Sequence, residues 1–74
     1  MKIKEYGRTE LAVIYFPNIT QGSAWRKFRK LIDWQPTLAY RLEKAGYKHS
    51  KQRYFTPNQV CIIVEEIGLP ELNL

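Results

Sequence analysis

Proline and glycine leave this chain little choice of architecture. Prolines stand at 17, 36, 57 and 70 and glycines at 7, 22, 46 and 68. The longest stretch free of both, residues 23–35, spans thirteen residues. No apolar run approaches the ~18 residues of a membrane span. Several breakers sit where helices start or stop. Proline is tolerated at the first helical position, and glycine is favoured just past the last.

Between the breakers, apolar periodicity supplies the elements. Lys2 to Tyr6 alternates polar and apolar, the pattern of a short strand with Ile3 and Met1 facing inward, broken by Gly7. Thr9 reads as the cap of a first helix carrying Leu11, Ala12, Ile14, Tyr15 and Phe16, stopped by Pro17. Pro17 to Gly22 reads as a loop. With Ser23 as cap, a second helix runs from Ala24 to about Asp33, its apolar stripe at 24, 28, 31 and 32. Gln35-Pro36 divides it from a third, with Leu38, Leu42 and Ala45 on one face and Gly46 at its end. Thr56-Pro57 opens a fourth, which buries Val60, Ile63, Val64 and Ile67 and ends at Gly68. Arg53-Tyr54-Phe55 is placed to pair with the first strand. The fold class expected is mainly α: a single domain over residues 1–74, a four-helix domain of helix-turn-helix type with a minimal two-stranded β element made of residues 2–6 and 53–55.

Several segments, taken in order, resemble a small bacterial family known only as domain of unknown function 4248, found mainly in Bacteroidetes. They are Glu10-Leu11-Ala12, Tyr15-Phe16-Pro17, Leu38, Leu42, Gly46-Tyr47, the run Arg53-Tyr54-Phe55-Thr56-Pro57-Asn58-Gln59-Val60, then Ile63, Gly68 and Pro70. The resemblance implies a compact, mostly helical intracellular domain. It carries over no catalytic or binding residues.

Charge points toward a partner. Residues 25–53 hold nine cations, Arg26, Lys27, Arg29, Lys30, Arg41, Lys44, Lys48, Lys51 and Arg53, against Asp33 and Glu43, a net +7 within a chain of +5. The first 24 residues carry +1 and the last 21 carry −3. A basic block on a small domain is the footprint of a polyanion, most often nucleic acid. Two helix-turn-helix registers fit. In one, helix one supports and helix two reads, with Arg26 and Arg29 approaching base edges and Lys27 and Lys30 holding phosphate. In the other, helix two supports and helix three offers Thr37, Tyr40, Arg41 and Lys44. The first is favoured for its four cations on one polar face, although its Pro17–Ser23 loop exceeds the usual ~3–4-residue turn. Lys44, Lys48, Lys51 and Arg53 would add phosphate contacts, the last three from a basic wing. The bland alternatives are a solvated helix face and a flexible polar loop. His49 could lend pH sensitivity to that loop. Among ten aromatics, Trp25, Trp34 and Tyr40 lie off the main stripes and are the candidates for stacking on bases.

Other functional classes have thinner support. One cysteine and one histidine leave no zinc set and no internal disulfide, and no cofactor motif is present. Glu65 and Glu66 are consecutive on a helix and point apart, so no catalytic pair is expected and the chain does not read as an enzyme. Met1 to Glu5 lacks the apolar core of a signal peptide, which suggests the cytoplasm. Cys61 and Ile62 widen the apolar face of helix four, marking it as a homodimer interface unless the first strand or the tail, Leu69 to Leu74, covers it. The expectation is therefore a nucleic-acid-binding protein, duplex DNA favoured. The alternative is an adaptor whose basic face meets an acidic protein.

Overall fold

The computed structural model describes residues 1–48 and 51–70. Its elements, in chain order, are β1 (Tyr6–Gly7), α1 (Arg8–Tyr15), α2 (Gln21–Trp34), α3 (Pro36–Lys44), β2 (Tyr54–Phe55) and α4 (Pro57–Ile67). The mainly helical class, the four helices and the two-stranded element expected from sequence are all present.

Each helix begins on a local hydrogen bond or a proline. Gly7 precedes α1 in extended conformation, and its N–H donates to Glu10 Oε1 at 3.1 Å. The Thr20 hydroxyl caps α2 by accepting from the Ser23 N–H at 3.3 Å. Thr56 caps α4 in the same way through the Gln59 N–H at 3.2 Å, and Gln59 Oε1 accepts from the Thr56 N–H at 3.1 Å. That reciprocal pair is a capping box. Pro36 and Pro57 each open a helix. Gly46 and Gly68 close α3 and α4 with φ of +87°, a conformation that penalises residues bearing a Cβ.

Three boundaries differ from the sequence reading. The cap of α1 is Gly7 rather than Thr9, because Glu10 reaches back to the Gly7 N–H instead of sitting one position past a threonine cap. The cap of α2 is Thr20 rather than Ser23, so α2 gains a turn through Gln21 and Gly22 and reaches Trp34. The connection between α1 and α2 shrinks accordingly to Phe16–Thr20, while α2 and α3 are separated by Gln35 alone. The β element pairs Tyr6 with Phe55 and Gly7 with Tyr54, antiparallel, and does not extend back to Lys2. The chain bends at Lys4, and the Tyr6 hydroxyl donates to the Lys2 carbonyl at 2.9 Å. Ile3 is consequently 47% exposed instead of facing the core, while Met1 packs against it.

The core draws on every element: Tyr6, Leu11, Ala12, Tyr15, Ala24, Phe28, Ile32, Leu38, Leu42, Tyr47, Phe55, Val60, Ile62 and Ile63. Aromatic rings form its centre. Phe28 stacks on Tyr15 at 5.3 Å between centroids and meets Phe55 edge-on at 6.0 Å, and Phe55 stacks on Tyr47 at 5.3 Å. Edge-on and offset ring pairs contribute about 0.5–1.5 kcal/mol beyond their buried area. Phe28 thus fixes α2 on α1 and β2 at once.

Candidate nucleic-acid interface

The burial of α2 is sharply two-sided. Ala24, Phe28 and Ile32 are buried, whereas Arg26, Lys27, Arg29 and Lys30 are exposed. The four cations line one shallow surface with Asp33. No ion pair with an acidic side chain is formed by any of them among the described residues. A 14-residue helix pinned by an aromatic core presents these charges on a rigid support.

Arg8 lies against the start of α2, and sequence reasoning missed it. Its guanidinium lies 5.1 Å from the centre of the Trp25 ring, a cation–π arrangement. Its backbone N–H donates to the Arg53 carbonyl at 2.9 Å. Arg8 and Arg29 both lie close enough for their charges to act on the Tyr47 hydroxyl. There burial raises the pKa most, Asp33 adds to the rise, and the two arginines oppose it. The start of α1, the middle of α2 and the end of the 48–53 segment therefore meet at one corner. Trp25, tilted against Phe28 and Phe55 with ring centroids 6.4 Å away in each case, serves this corner as a partly buried platform under Arg8.

The basic segment after α3 is anchored by two glutamines. Gln52 Oε1 accepts from the Lys48 N–H at 3.1 Å, and the Gln52 N–H donates to the Lys48 carbonyl at 3.1 Å. The Gln52 side-chain amide also donates to the Tyr54 carbonyl and to Gln59 Oε1. Gln59, 1% exposed, sends its amide to the Ala45 carbonyl at 3.1 Å. This network joins the end of α3, the start of α4 and the basic segment, leaving Lys48, Lys51 and Arg53 exposed. The sequence signal for Gln59 was the Thr56-x-x-Gln59 spacing of a capping box. His49 lies outside the described residues, as does the tail from Glu71 to Leu74.

Arg41 belongs to a different surface. Its Nη1 meets Glu66 Oε1 at 3.0 Å and its Nη2 meets Glu65 Oε1 at 3.1 Å. The hydrogen bond to Glu66, and after it that to Glu65, raises its pKa. Consecutive glutamates on α4 thus converge on one guanidinium, although their side chains diverge at the helix. Lys44 sits over the exposed ring of Tyr40 at 5.4 Å. Of the expected stacking aromatics, Trp34 is the most open, at 80%.

Ile62 is 7% exposed and packs in the chain's own core, so it leaves water without a second chain. Cys61 is half-buried, with Sγ 3.8 Å from Glu65 Oε1. Among the described residues, no cluster of three potential metal ligands occurs, and no helix is long and apolar enough to cross a membrane.

These features define a small four-helix domain with a two-residue β clasp and a cationic helix face. The chain belongs to the family described as Domain of unknown function (DUF4248), whose model matches residues 2–70. No curated protein and no solved structure gives a significant match.

Proposed function

We propose that this domain binds nucleic acid, duplex DNA in preference to single strands, through the exposed face of α2, without catalysis and in the cytoplasm. The observation that carries the reading is the two-sidedness of α2: a fully buried apolar stripe opposite Arg26, Lys27, Arg29 and Lys30, all exposed. Cations held on a rigid helix are prepositioned for phosphate, and arginines can also bridge guanine O6 and N7. Arg26 and Arg29 approach base edges in this reading. Lys27, Lys30, Arg8, Lys48, Lys51 and Arg53 hold the backbone, whereas Lys44 lies beside Arg41 on the other surface.

Of the two helix-turn-helix registers, the reading proposed is the one in which α1 supports and α2 reads. The five-residue connection Phe16–Thr20 is shorter than the loop expected from sequence. The competing register would read with α3, whose Arg41 is already engaged by two carboxylates.

The test is fluorescence anisotropy on labelled random duplex, single-stranded DNA and RNA across a salt series. Neutralising Arg26, Lys27, Arg29 and Lys30 together to glutamine should abolish measurable duplex affinity at moderate salt. The two lost phosphate contacts, from Lys27 and Lys30, should also flatten the slope of log K against log salt by about 2. Unchanged affinity in the still-folded variant refutes the reading. In that case the basic face is a docking surface for an acidic protein.

A further inference from the structure

A second concavity lies beside the basic face but has a different chemistry. It is a half-open groove of about 740 Å³ where the end of α1, the following loop, α2 and the end of α4 meet. Phe16, Ile19, Leu31 and Ile67 form its apolar walls, and none of the four is fully buried. The neighbouring frame is tied across the chain, because the Tyr15 hydroxyl donates to the Gly68 carbonyl at 2.8 Å.

Two charged side chains reach this groove, Lys27 and Glu66. They are not equivalent. Glu66 is held by Arg41 at 3.0 Å, so its charge is already compensated. Lys27 has no carboxylate partner among the described residues. The groove therefore offers partly wet apolar walls with one uncompensated cation at the rim. Small-molecule sites typically span about 300–1,000 Å³, with mainly apolar linings and few polar groups.

We propose that this groove binds a small amphipathic monocarboxylate, an aliphatic or arylalkyl acid. Its apolar body lies along Ile19, Leu31 and Ile67 and its carboxylate meets the Lys27 ammonium. A phosphodiester backbone does not suit these walls, since it would desolvate charge against hydrocarbon. A neutral apolar ligand would leave the one available cation unused. The assignment does not depend on nucleic-acid binding.

The probe is sodium octanoate, with 1-octanol as its uncharged counterpart, titrated into the ¹⁵N-labelled full chain and followed by amide chemical shifts. Octanoate is expected to move the amides of Phe16, Ile19, Lys27, Leu31, Gln35 and Ile67 with one saturable constant. Lys27→Gln should weaken octanoate by about three- to fivefold, the upper range for an exposed ion pair, and leave octanol unchanged. Ile19→Ser, on an exposed loop, should weaken both ligands by about fourfold, the equivalent of one buried methylene. No saturable shifts at millimolar octanoate would overturn the proposal. So would shifts scattered over Arg26, Arg29 and Lys30, or equal octanoate affinity in Lys27→Gln.

Discussion

Two groups of arginines in this molecule come from the same basic stretch of sequence and end in opposite electrostatic situations. Arg26 and Arg29 stand on the outer face of α2 with no acidic partner among the described residues. Arg41, on α3, is gripped by Glu65 and Glu66 of α4 at 3.0–3.1 Å. Counting charge along the chain treats these residues alike. Folding separates them, because α3 packs against the acidic helix whereas Arg26, Lys27, Arg29 and Lys30 stay exposed on the outer face of α2. The net charge of a segment is therefore a poor guide to the charge of a surface. What a polyanion would meet is the part of the block that the fold leaves uncompensated.

The largest expected effect comes from removing the support of the α2 face. Phe28→Ala deletes the ring that joins α2 to Tyr15 and Phe55, and should cost about 3–5 kcal/mol in denaturant unfolding. Loss on that scale in a 74-residue domain would leave it largely unfolded. A cost below about 1 kcal/mol would mean that Phe28 does not anchor the helix.

Next comes the glutamine network behind the basic segment. Gln59→Ala strands the Ala45 carbonyl and the Thr56 N–H, and should cost about 1–3 kcal/mol. Because the same network anchors Gln52, hydrogen exchange at Lys48 and Gln52 should quicken as well. Unaltered protection there would show that the segment is held by other means.

Smaller still is the effect of moving single charges. Arg8→Gln and Lys30→Gln should each reduce the salt slope of duplex binding by about one phosphate contact, and Arg29→Gln should weaken binding and relax its sequence preference. Arg41→Gln should leave the slope unchanged. Glu65→Gln combined with Glu66→Gln should release Arg41 and raise duplex affinity. If Arg41→Gln weakens binding as much as Arg29→Gln does, the division between the two surfaces fails.

The smallest effect concerns Tyr47. Burial raises its folded-state pKa above the unfolded value, so the folded state keeps this proton longer than the unfolded chain does. Its contribution to stability is complete below about pH 10 and declines as pH rises above that value. Urea unfolding between pH 9 and 11 should show this decline, and Tyr47→Phe should lessen it. An identical pH profile in the variant would place the titration elsewhere.

Much of the fold was legible in the chain. Pro36 and Pro57 mark helix starts, Gly46 and Gly68 mark ends, and the 24/28/31/32 stripe predicts the inner side of α2, where Ala24, Phe28 and Ile32 are buried and Leu31 is partly buried. The helix starts at Gly7 and Thr20 were not legible, because several residues in each region can cap and the choice rests on which backbone N–H is reached. Ile3 alternates as an inward strand residue should, but the Tyr6–Lys2 hydrogen bond accompanies a bend that a local pattern cannot register. Ile62 looked surplus to one core and is inside it, since α4 packs against both α3 and β2. At the candidate site, the four α2 cations were readable from helical spacing. Arg8 and Arg41 were not, because their settings depend on contacts with residues 17 and 24–25 positions away in sequence.

The most direct test of the central claim is the salt dependence of duplex affinity, measured side by side for three proteins: the unaltered chain, Arg41→Gln, and the variant with Arg26, Lys27, Arg29 and Lys30 changed to glutamine. A steep slope shared by the first two and flattened in the third is the predicted result. Equal slopes in all three, or no duplex binding by the unaltered chain at low salt, would contradict the assignment of the α2 face as a nucleic-acid surface.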